Sequence, residues 1–363
     1  MKKVGIVTLF GNYNYGNRLQ NYAVQQIAKK YGYESETLIF VMDGIKEKLR
    51  GIKRSIQYLQ GKPEMKRYHV FNRFNKELIP TRTIIVHNGN VNPDLKKEYD
   101  FFFVGSDQVW NPDIRQNQRE IFFLSFADKR QRVCIAPSIG VSGIEDVYEA
   151  IYKQGLQGFE HLCCREEEGR REIERISLKE CLRLIDPTMA IDADEWRLFS
   201  KNKHKEKNGG FVFCFFLGII PSQLRKRIMD FAEKENLKII MPSDKESCYY
   251  ECDPREFVDY IDCASVVFTD SFHVAAFSIN LETPFWVFNR CDNQTITTRI
   301  SSRIQTLTEL FKVSDRYIDD ENYNVDFSAE CSFSEARVIL KDEKKKLYSY
   351  VEKCIAVNSH TNE

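Results

Sequence analysis

The chain lacks an excess of charge of either sign, because its 363 residues include 53 basic and 53 acidic side chains. Without a global basic field, no general attraction to nucleic acid or to anionic lipid is expected. No apolar run approaches the ~20 residues of a membrane-spanning helix. The apolar residues 4–10 end at Gly11, too early for a signal peptide. These absences predict a cytoplasmic protein without a nucleic-acid partner, and they leave open peripheral contact with the inner face of a membrane.

The sequence also gives no sign of a disulfide framework or a metal site. Its 11 cysteines are odd in number and irregularly spaced, and many, such as Cys134 and Cys214, lie in apolar runs. This pattern favours reduced, buried thiols. Cys248 and Cys252 are four positions apart, but no further pair of His or Cys completes a zinc pattern. We therefore expect neither a metal nor a cofactor, and nothing in the sequence predicts an oligomeric state.

The residues that are present predict an α/β protein. With 42% hydrophobic and 29% charged residues the composition is globular, and the length favours two domains. An apolar strand at 4–10, a Gly- and Asn-rich turn at 11–17, a helical pattern at 18–30 and a strand at 34–41 form a βαβ opening. Residues 43–80 are charged and helical in pattern. Further strands are predicted at 99–104, 121–125, 133–136, 161–164 and 182–185.

The second half repeats this architecture after a polar stretch. Residues 199–210 are predicted to be a linker between an N-terminal Rossmann-like domain, 1–198, and a C-terminal one, 211–333. The predicted elements of the second domain are strands at 211–217, 237–241, 265–269 and 284–288 and helices at 222–235, 254–263 and 272–280. A charged helix beginning at Ser334 and a tail complete the chain, 334–363. Because open parallel sheets bind ligands at the carboxyl ends of their strands, we expect the two sheets to face a cleft.

The segment from Ser265 to His273 is the most informative one. An apolar, β-branched run ends in the turn Thr269-Asp270-Ser271, and the turn opens an amphipathic segment. This pattern predicts a buried strand, a tight turn and a helix start. Free N–H groups at a helix start attract anions, and a histidine there can exchange protons near pH 7.

Several short motifs, taken in order and spacing, resemble the polysaccharide pyruvyl transferase family over most of the chain. They are the turn 11–17, the stretch 104–111 (VGSDQVWN), Arg165-Glu166 with Gly169, Asp186-Pro187-Thr188, and 269–273 followed by Pro284-Phe285. The resemblance implies a two-domain fold similar to that of GT-B glycosyltransferases. It implies transfer of the enolpyruvyl carbons of phosphoenolpyruvate onto two hydroxyls of a sugar, in a cell-surface polysaccharide or its lipid-linked precursor. The product would be a cyclic pyruvate ketal, with release of phosphate.

The donor-site histidine of the family corresponds to His273, which we predict to be the general acid. In better characterised members the two preceding residues are Arg-Leu, whereas here they are Ser271 and Phe272. An arginine would supply a planar fork for phosphate or carboxylate, which serine cannot. The hydroxyl of Ser271 and the backbone N–H groups of Phe272 and His273 are therefore predicted to bind the donor. Ser271 as a plain helix N-cap is the alternative.

Replacement cations are predicted from three arginines. Arg290 follows the strand at 284–288 and ranks first. Arg299 and Arg303 lie at the start of a predicted helix, where the helix dipole disfavours positive charge. A solvated arginine pair is the alternative for Arg299 and Arg303.

The acceptor side is predicted in the first domain, at two turns that come after strands. At the first turn the predicted acceptor residues are Asn12, Asn14, Asn17 and Arg18, with turn chemistry alone as the alternative.

At the second turn Asp107 is predicted to act as a base or to orient a hydroxyl, and Gln108 and Trp110 are predicted to contact the sugar. An Asp cap beside a core tryptophan is the alternative there.

Two other functions fit the same architecture. A nucleotide-sugar-dependent glycosyltransferase would need a pocket for a base and a ribose, often with an acidic residue that contacts the ribose in the second domain. Glu282 is the only acidic residue late in the predicted helix there. A non-catalytic carbohydrate-binding relative is permitted by Ser271 at the family's arginine position.

Overall fold

The computed structural model describes residues 2–11, 13–42, 62–87, 90–114, 116–200, 210–292, 295–296, 301–319 and 323–356. Its contacts divide the chain into unit 1, Met1–Ala190 with Glu343–Glu363, and unit 2, Ile191–Asp342. The division therefore falls at residue 190 rather than at the predicted 198. Phe199 and Ser200, predicted as linker, end a helix that begins at Ala193. The rest of the predicted linker up to 209 lies outside the described residues.

Unit 1 is built on a five-stranded parallel sheet in the order β3-β2-β1-β4-β5. Two further strands, β6 and β7, form a separate parallel pair. The strands are β1 Lys3–Val7, β2 Glu34–Met42, β3 Thr81–Val86, β4 Phe101–Gly105, β5 Arg132–Ile135, β6 Leu162–Cys164 and β7 Cys181–Arg183. The helices are α1 Tyr15–Lys30, α2 Pro63–Leu78, α3 Gln116–Phe122, α4 Asp146–Gln157, α5 Glu167–Ser177 and α6 Pro187–Ala190, with 3₁₀ turns at Pro93–Glu98 and Lys129–Gln131.

The central strands of this sheet are continuous apolar runs because helices cover both faces of a parallel sheet. All five residues of β4 are buried, as are four of the five in β1. Gly5 allows close packing here, since a Cβ at this position would lie 2.9 Å from Leu38 Cδ1 and from Phe102 Cδ1. The sheet order 3-2-1-4-5 matches the first five strands of the classic Rossmann order 3-2-1-4-5-6.

Unit 2 has its own five-stranded parallel sheet, in the order β14-β11-β10-β8-β9. Counted within the unit this order is 2-1-3-4-5, the other common doubly wound arrangement. Its strands are β8 Phe211–Phe215, β9 Lys238–Ile240, β10 Val266–Thr269, β11 Phe285–Phe288 and β14 Tyr317–Ile318, and an antiparallel pair is formed by β12 Cys291–Asp292 and β13 Thr295–Ile296. The helices are α7 Ala193–Ser200, α8 Ser222–Lys234, α9 Pro254–Cys263, α10 Phe272–Leu281 and α11 Ser301–Leu310, with a 3₁₀ turn at Ser314–Arg316. The last helix, α12 Ser334–Ala356, contains the division between the units.

The predicted fold class, two α/β units with parallel sheets, is confirmed. In unit 1, however, one predicted strand is wrong and one observed strand was not predicted. The strand predicted at 121–125 is instead the end of α3 followed by a turn, in which Leu124 has a φ of 54°. A short apolar run without alternation does not distinguish strand from helix. The strand β3 was not predicted; its burial alternates toward its end, as in a half-buried edge strand.

Among the described residues, no helix has both the length and the apolar character needed to cross a lipid bilayer. All eleven cysteines are described, and none forms a disulfide.

Candidate functional site

Each sheet has a switch point, where the strand order reverses and neighbouring connections leave in opposite directions. In unit 1 it lies between the carboxyl ends of β1 and β4, and in unit 2 between those of β8 and β10. Doubly wound sheets bind ligands at this point because the loops diverge there and leave a crevice. Apart from Arg290, Arg299 and Arg303, the predicted site residues follow β1, β4 or β10 in the sequence.

Asp107 bridges the switch point of unit 1. It follows β4 with a φ of 71°, a left-handed conformation that aspartate tolerates better than most residues. Its Oδ2 accepts a hydrogen bond from Asn17 Nδ2 at 2.9 Å, and its Oδ1 accepts one from the backbone N–H of Gln108 at 2.9 Å. Two turns that are 90 residues apart in sequence are therefore joined by one buried carboxylate.

Arg18 holds the side chain of Asn17 from inside the unit. Its Nε donates to Asn17 Oδ1 at 3.1 Å, its Nη2 donates to the Leu9 carbonyl at 2.8 Å, and its guanidinium lies 4.0 Å from the centre of the Phe10 ring. Burial lowers the pKa of Arg18 to about 9, and the nearby carboxylate of Asp107 opposes this shift. Since Arg18 is wholly buried, we correct its predicted role: it holds Asn17 in place and does not offer its charge at the surface.

A second buried network lies next to Asp107. Arg165 Nη1 donates to Asp186 Oδ2 at 2.7 Å, and the hydroxyl of Ser106 donates to the same oxygen at 2.7 Å. The Arg165 and Asp186 side chains are 1% and 0% exposed. Burial disfavours the Arg165 charge, but Asp186, Glu166 and Asp107 outweigh it and raise the pKa of Arg165.

Glu166 fixes the loop after β5. Its Oε1 accepts hydrogen bonds from the Ser138 hydroxyl and from the backbone N–H groups of Ile139 and Gly140, at 2.8–3.1 Å. This loop lies beside the one that holds Asp107, because the backbone N–H of Ser138 donates to the Asp107 carbonyl at 2.9 Å. The Glu166 carboxylate is therefore part of the scaffold of the site.

The other predicted acceptor residues have different positions. Asn14 is exposed and is the N-cap of α1, where its Oδ1 accepts the backbone N–H of Asn17 at 3.1 Å. Gln108 is half-buried and its Oε1 accepts Asn111 Nδ2 at 3.0 Å. Asn12 lies outside the described residues.

Trp110 requires a correction. The indole is 2% exposed, stacks on Phe123 with ring centroids 5.9 Å apart, and donates its Nε1–H to the Phe122 carbonyl. A tryptophan with its only polar atom satisfied inside the unit is a core residue. We therefore remove Trp110 from the predicted sugar contacts.

Asp270 bridges the switch point of unit 2. Its Oδ1 and Oδ2 accept the backbone N–H groups of Leu217 and Gly218, each at 2.7 Å, in the loop after β8. Gly218 is required there, because a Cβ would lie 2.6 Å from the Cys291 carbonyl oxygen and 2.7 Å from Arg290 Cγ. Burial raises the pKa of Asp270, and Arg290 and the two N–H groups oppose that shift.

Arg290 pairs with this aspartate. Its Nε lies 3.5 Å from Asp270 Oδ2, and its side chain is 20% exposed. The charge predicted to bind the donor is thus shared with an internal carboxylate. Sequence reasoning missed Asp270; the available signal was an acidic residue at a strand end within the turn that precedes His273.

His273 lies in the first turn of α10. This helix is buried on all sides, and His273 is its only residue that is not buried. Ser271 is the N-cap, yet its side chain makes no capping hydrogen bond; its backbone N–H donates to Thr269 Oγ1 at 3.0 Å. The first N–H groups of a helix have no acceptor within the helix. This turn can therefore present N–H donors, a hydroxyl and an imidazole together.

The positions of the other predicted donor residues, Phe272, Arg303 and Arg299, do not decide whether they bind the donor. Phe272 is buried, with its ring centroid 5.5 Å from that of His273. Arg303 lies in the first turn of α11 and is 5% exposed, and its part in donor binding stays a prediction. Arg299 lies outside the described residues. No group of three or more His, Cys, Asp or Glu side chains in the described ranges is arranged to hold a metal ion.

Solved structures of low similarity cover nearly the whole chain. UDP-GlcNAc 2-epimerase from Methanocaldococcus jannaschii is 12% identical with a TM-score of 0.48, covering 99% of this chain and 94% of its own. UDP-N-acetylglucosamine 2-epimerase from Rickettsia bellii is 11% identical with a TM-score of 0.47, covering 100% and 99%. An E. coli heptosyltransferase is 8% identical with a TM-score of 0.38, covering 95% and 99%.

A comparison with proteins of curated function finds no significant match. A family model, described as polysaccharide pyruvyl transferase, matches residues 14–293. The match begins just before α1 and ends after β11, so it includes β4 with Asp107 and the turn with Asp270 and His273, whereas β1 lies before it. Because it covers most of the sequence, this chain belongs to the polysaccharide pyruvyl transferase family.

Proposed function

We propose that this protein transfers a pyruvyl group from phosphoenolpyruvate onto two hydroxyls of a sugar in a polysaccharide or its lipid-linked precursor, forming a ketal and releasing phosphate. The observation that carries the proposal is the position of His273, half-buried in the first turn of an otherwise buried helix, next to an N-cap serine whose hydroxyl does not cap. Membership of the family supports the reaction class.

The reaction requires a proton on the methylene carbon of the enol. We assign this proton to the imidazolium of His273, because a histidine can carry and release a proton near neutral pH. Protonation turns the methylene into a methyl group and leaves an oxocarbenium-like carbon. One sugar hydroxyl adds to that carbon and loses its proton, and the C–O bond to phosphate then breaks and regenerates an oxocarbenium-like carbon. The second hydroxyl adds there and loses its proton, which closes the ketal. Of the two released protons, one restores the imidazolium and the other leaves with the phosphate.

The anionic groups of the donor need N–H donors or positive charge. In the proposal the backbone N–H groups of Phe272 and His273 and the hydroxyl of Ser271 bind the donor phosphate, helped by the positive end of the α10 dipole. Arg290 keeps the nearby carboxylate of Asp270 compensated, since Nε and Oδ2 are 3.5 Å apart. In this arrangement backbone N–H groups and the Ser271 hydroxyl bind the phosphate, so the arginine that the family has at position 271 is not needed.

The acceptor is assigned to unit 1. Asp107 would accept the proton of an acceptor hydroxyl or orient it, while Asn14 and Gln108 would donate or accept hydrogen bonds to the sugar. Asn17 and Arg18 hold the Asp107 carboxylate from inside the unit and act as positioning residues.

The experiment that tests the donor is thermal unfolding with phosphoenolpyruvate and, in parallel, with a panel of nucleotide sugars. A ligand that binds only the folded state stabilises it by about 2.7 kcal/mol at 100 times its Kd. We expect the melting temperature to rise with phosphoenolpyruvate, and pyruvate or phosphate alone to have a smaller effect. A rise with a nucleotide sugar and none with phosphoenolpyruvate would overturn the proposal.

The nucleotide-sugar alternative gains no support from Glu282. This residue ends α10 at the end opposite to His273, with a φ of 60°. Its carboxylate forms a two-point ion pair with Arg337, at 2.6 and 2.7 Å. A carboxylate held in this way is not set to contact a ribose beside the switch point.

A further inference from the structure

A second concave site lies in unit 1, on the side of the β6–β7 pair where these strands begin. It is a cavity of about 520 Å³ between that pair and α12. Its walls combine the apolar side chains Leu162 and Leu182 with the lysines Lys179, Lys346 and Lys353. A volume of this size is in the ordinary range for small-molecule sites.

The cavity is separate from the switch point of unit 1. His161 and Glu180, which line it, immediately precede β6 and β7. Arg165 and Asp186 lie beyond the carboxyl ends of the same strands. A three-residue strand spans ~10 Å, so a ligand in the cavity would not displace the groups around Asp107.

Lys346 contributes a charge that is only loosely compensated. It is half-buried, and its Nζ lies 4.0 Å from Glu343 Oε1. That same oxygen accepts Arg183 Nη2 at the shorter distance of 2.7 Å. Burial lowers the pKa of Lys346; Glu343 opposes the shift, and Arg183 adds to it. An anion placed beside Lys346 would relieve this arrangement.

Lys353 follows Lys346 by seven positions, so both lie on one face of α12. Burial and the positive charge of Lys353 lower the pKa of His161, and Glu160 opposes this shift. The Nε2 atom of His161 is buried without a hydrogen-bond partner among the described residues. His161 therefore adds a polar atom to the wall of the cavity.

Lys179 is fixed at the same wall. Its Nζ donates to the carbonyl oxygens of Phe159 at 2.7 Å and Gln157 at 3.2 Å. The two carboxylates that line the cavity, Glu160 and Glu180, are exposed at its rim, where water screens them.

From this arrangement we propose that the cavity binds a small phosphorylated molecule with an apolar body. Lysines serve as point charges for a phosphate group, and the two leucines accept the apolar part. The ligand class differs from a free sugar, for which three ammonium groups give no advantage.

Phenyl phosphate is the probe, followed by NMR of the histidine side chains in the full chain, which has 6 histidines. The His161 resonance is identified by its absence from the His161→Gln variant. We expect it to shift on titration in the wild type and equally in His273→Ala, which separates this site from the proposed donor site. A His161 resonance that stays unmoved at saturating probe would overturn the proposal.

Matched lysine variants test whether Lys346 and Lys353 bind the phosphate group. Lys346→Gln with Lys353→Gln should raise the Kd for phenyl phosphate at least tenfold, whereas Lys345→Gln, on the same helix outside the cavity wall, should change it less than twofold. If the double variant melts early, Lys353→Gln alone, at an exposed position, should still raise the Kd severalfold. Equal weakening by Lys345→Gln would show a general charge effect and reject the site.

Discussion

At its switch point, unit 1 holds Asp107 against the side-chain amide of Asn17, whereas unit 2 holds Asp270 against two backbone N–H groups. Each aspartate comes after a strand at the switch point and ties down the loop of the neighbouring strand. Each also has an arginine nearby, Arg18 in unit 1 and Arg290 in unit 2. The same position in two sheets is thus stabilised by the same kind of contact.

The two units differ in how the chain continues after each aspartate. In unit 1 it passes through Gln108 into a turn that buries Trp110 in the core. In unit 2 it enters α10, and His273 is the one residue of that helix with appreciable exposure. Unit 1 therefore presents a fixed carboxylate, and unit 2 presents a helix start with a group that can exchange a proton.

The largest effect expected from this contrast is on turnover. His273→Ala should lower the rate of phosphate release from phosphoenolpyruvate by about 10²–10⁴-fold, because a general acid contributes that much. The measurement is phosphate release with a panel of sugar acceptors, alongside thermal unfolding. His69→Ala, at an exposed position of α2, is the control and should leave turnover unchanged. Full activity of the His273→Ala protein would show that His273 is not the general acid.

The next largest effect is on stability, and it belongs to unit 1. Asp186→Asn removes the partner of a guanidinium whose side chain is 1% exposed. Breaking one side of a buried ion pair costs about 3–5 kcal/mol. Chemical denaturation should show this loss in the free energy of unfolding. Asp94→Asn removes an exposed ion pair with Lys97 and should leave the unfolding midpoint unchanged; similar losses in both variants would contradict a buried network.

Much of this difference between the units could be predicted, because the hydrophobic pattern of the sequence shows where strands end and helices begin. The strand and helix around the Thr269–His273 turn were expected at 265–269 and 272–280, and they are observed at Val266–Thr269 and Phe272–Leu281. The meeting of Asn17 with Asp107 is a consequence of parallel topology, because polar residues after neighbouring strands reach the same edge of the sheet.

The side-chain partners could not be predicted. Arg290 pairs with Asp270, which lies in a different loop, and Arg18 turns inward under Phe10 instead of toward solvent. Periodicity places a residue on an element but does not say which loop packs against it. Trp110 shows the same limit, since an indole beside Asp107 suits both a sugar contact and a core position, and only its stacking on Phe123 decides between them.

A smaller effect tests the pairing in unit 2. Arg290→Ala leaves the buried carboxylate of Asp270 without its cation and should cost about 1–3 kcal/mol at neutral pH. It should also weaken the binding of phosphoenolpyruvate. Arg290→Lys keeps the charge and should recover most of the loss in stability.

The pH dependence of this variant has a definite sign. Burial already raises the pKa of Asp270 above that of the unfolded chain, and Arg290 opposes the shift, so its removal raises the pKa further. Between the unfolded and the folded pKa the folded state binds the extra proton, so stability is gained as the pH falls through the folded value. The melting-temperature gap between wild type and Arg290→Ala should therefore narrow from about pH 7 toward about pH 4. A difference in melting temperature that stays constant with pH would mean that Arg290 does not affect the pKa of Asp270.

The smallest effect separates two roles of one residue in unit 1. Asn14 caps α1 through its Oδ1 and is also predicted to contact the acceptor. Serine caps helices about as well as asparagine, so Asn14→Ser should leave the melting temperature unchanged while removing the amide. Loss of one neutral hydrogen bond of about 0.5–1.5 kcal/mol should raise the KM for the acceptor about 2–10-fold, with kcat unaltered. An unchanged KM would leave Asn14 as a cap alone, and unit 1 would then bind the acceptor through Asp107 and Gln108.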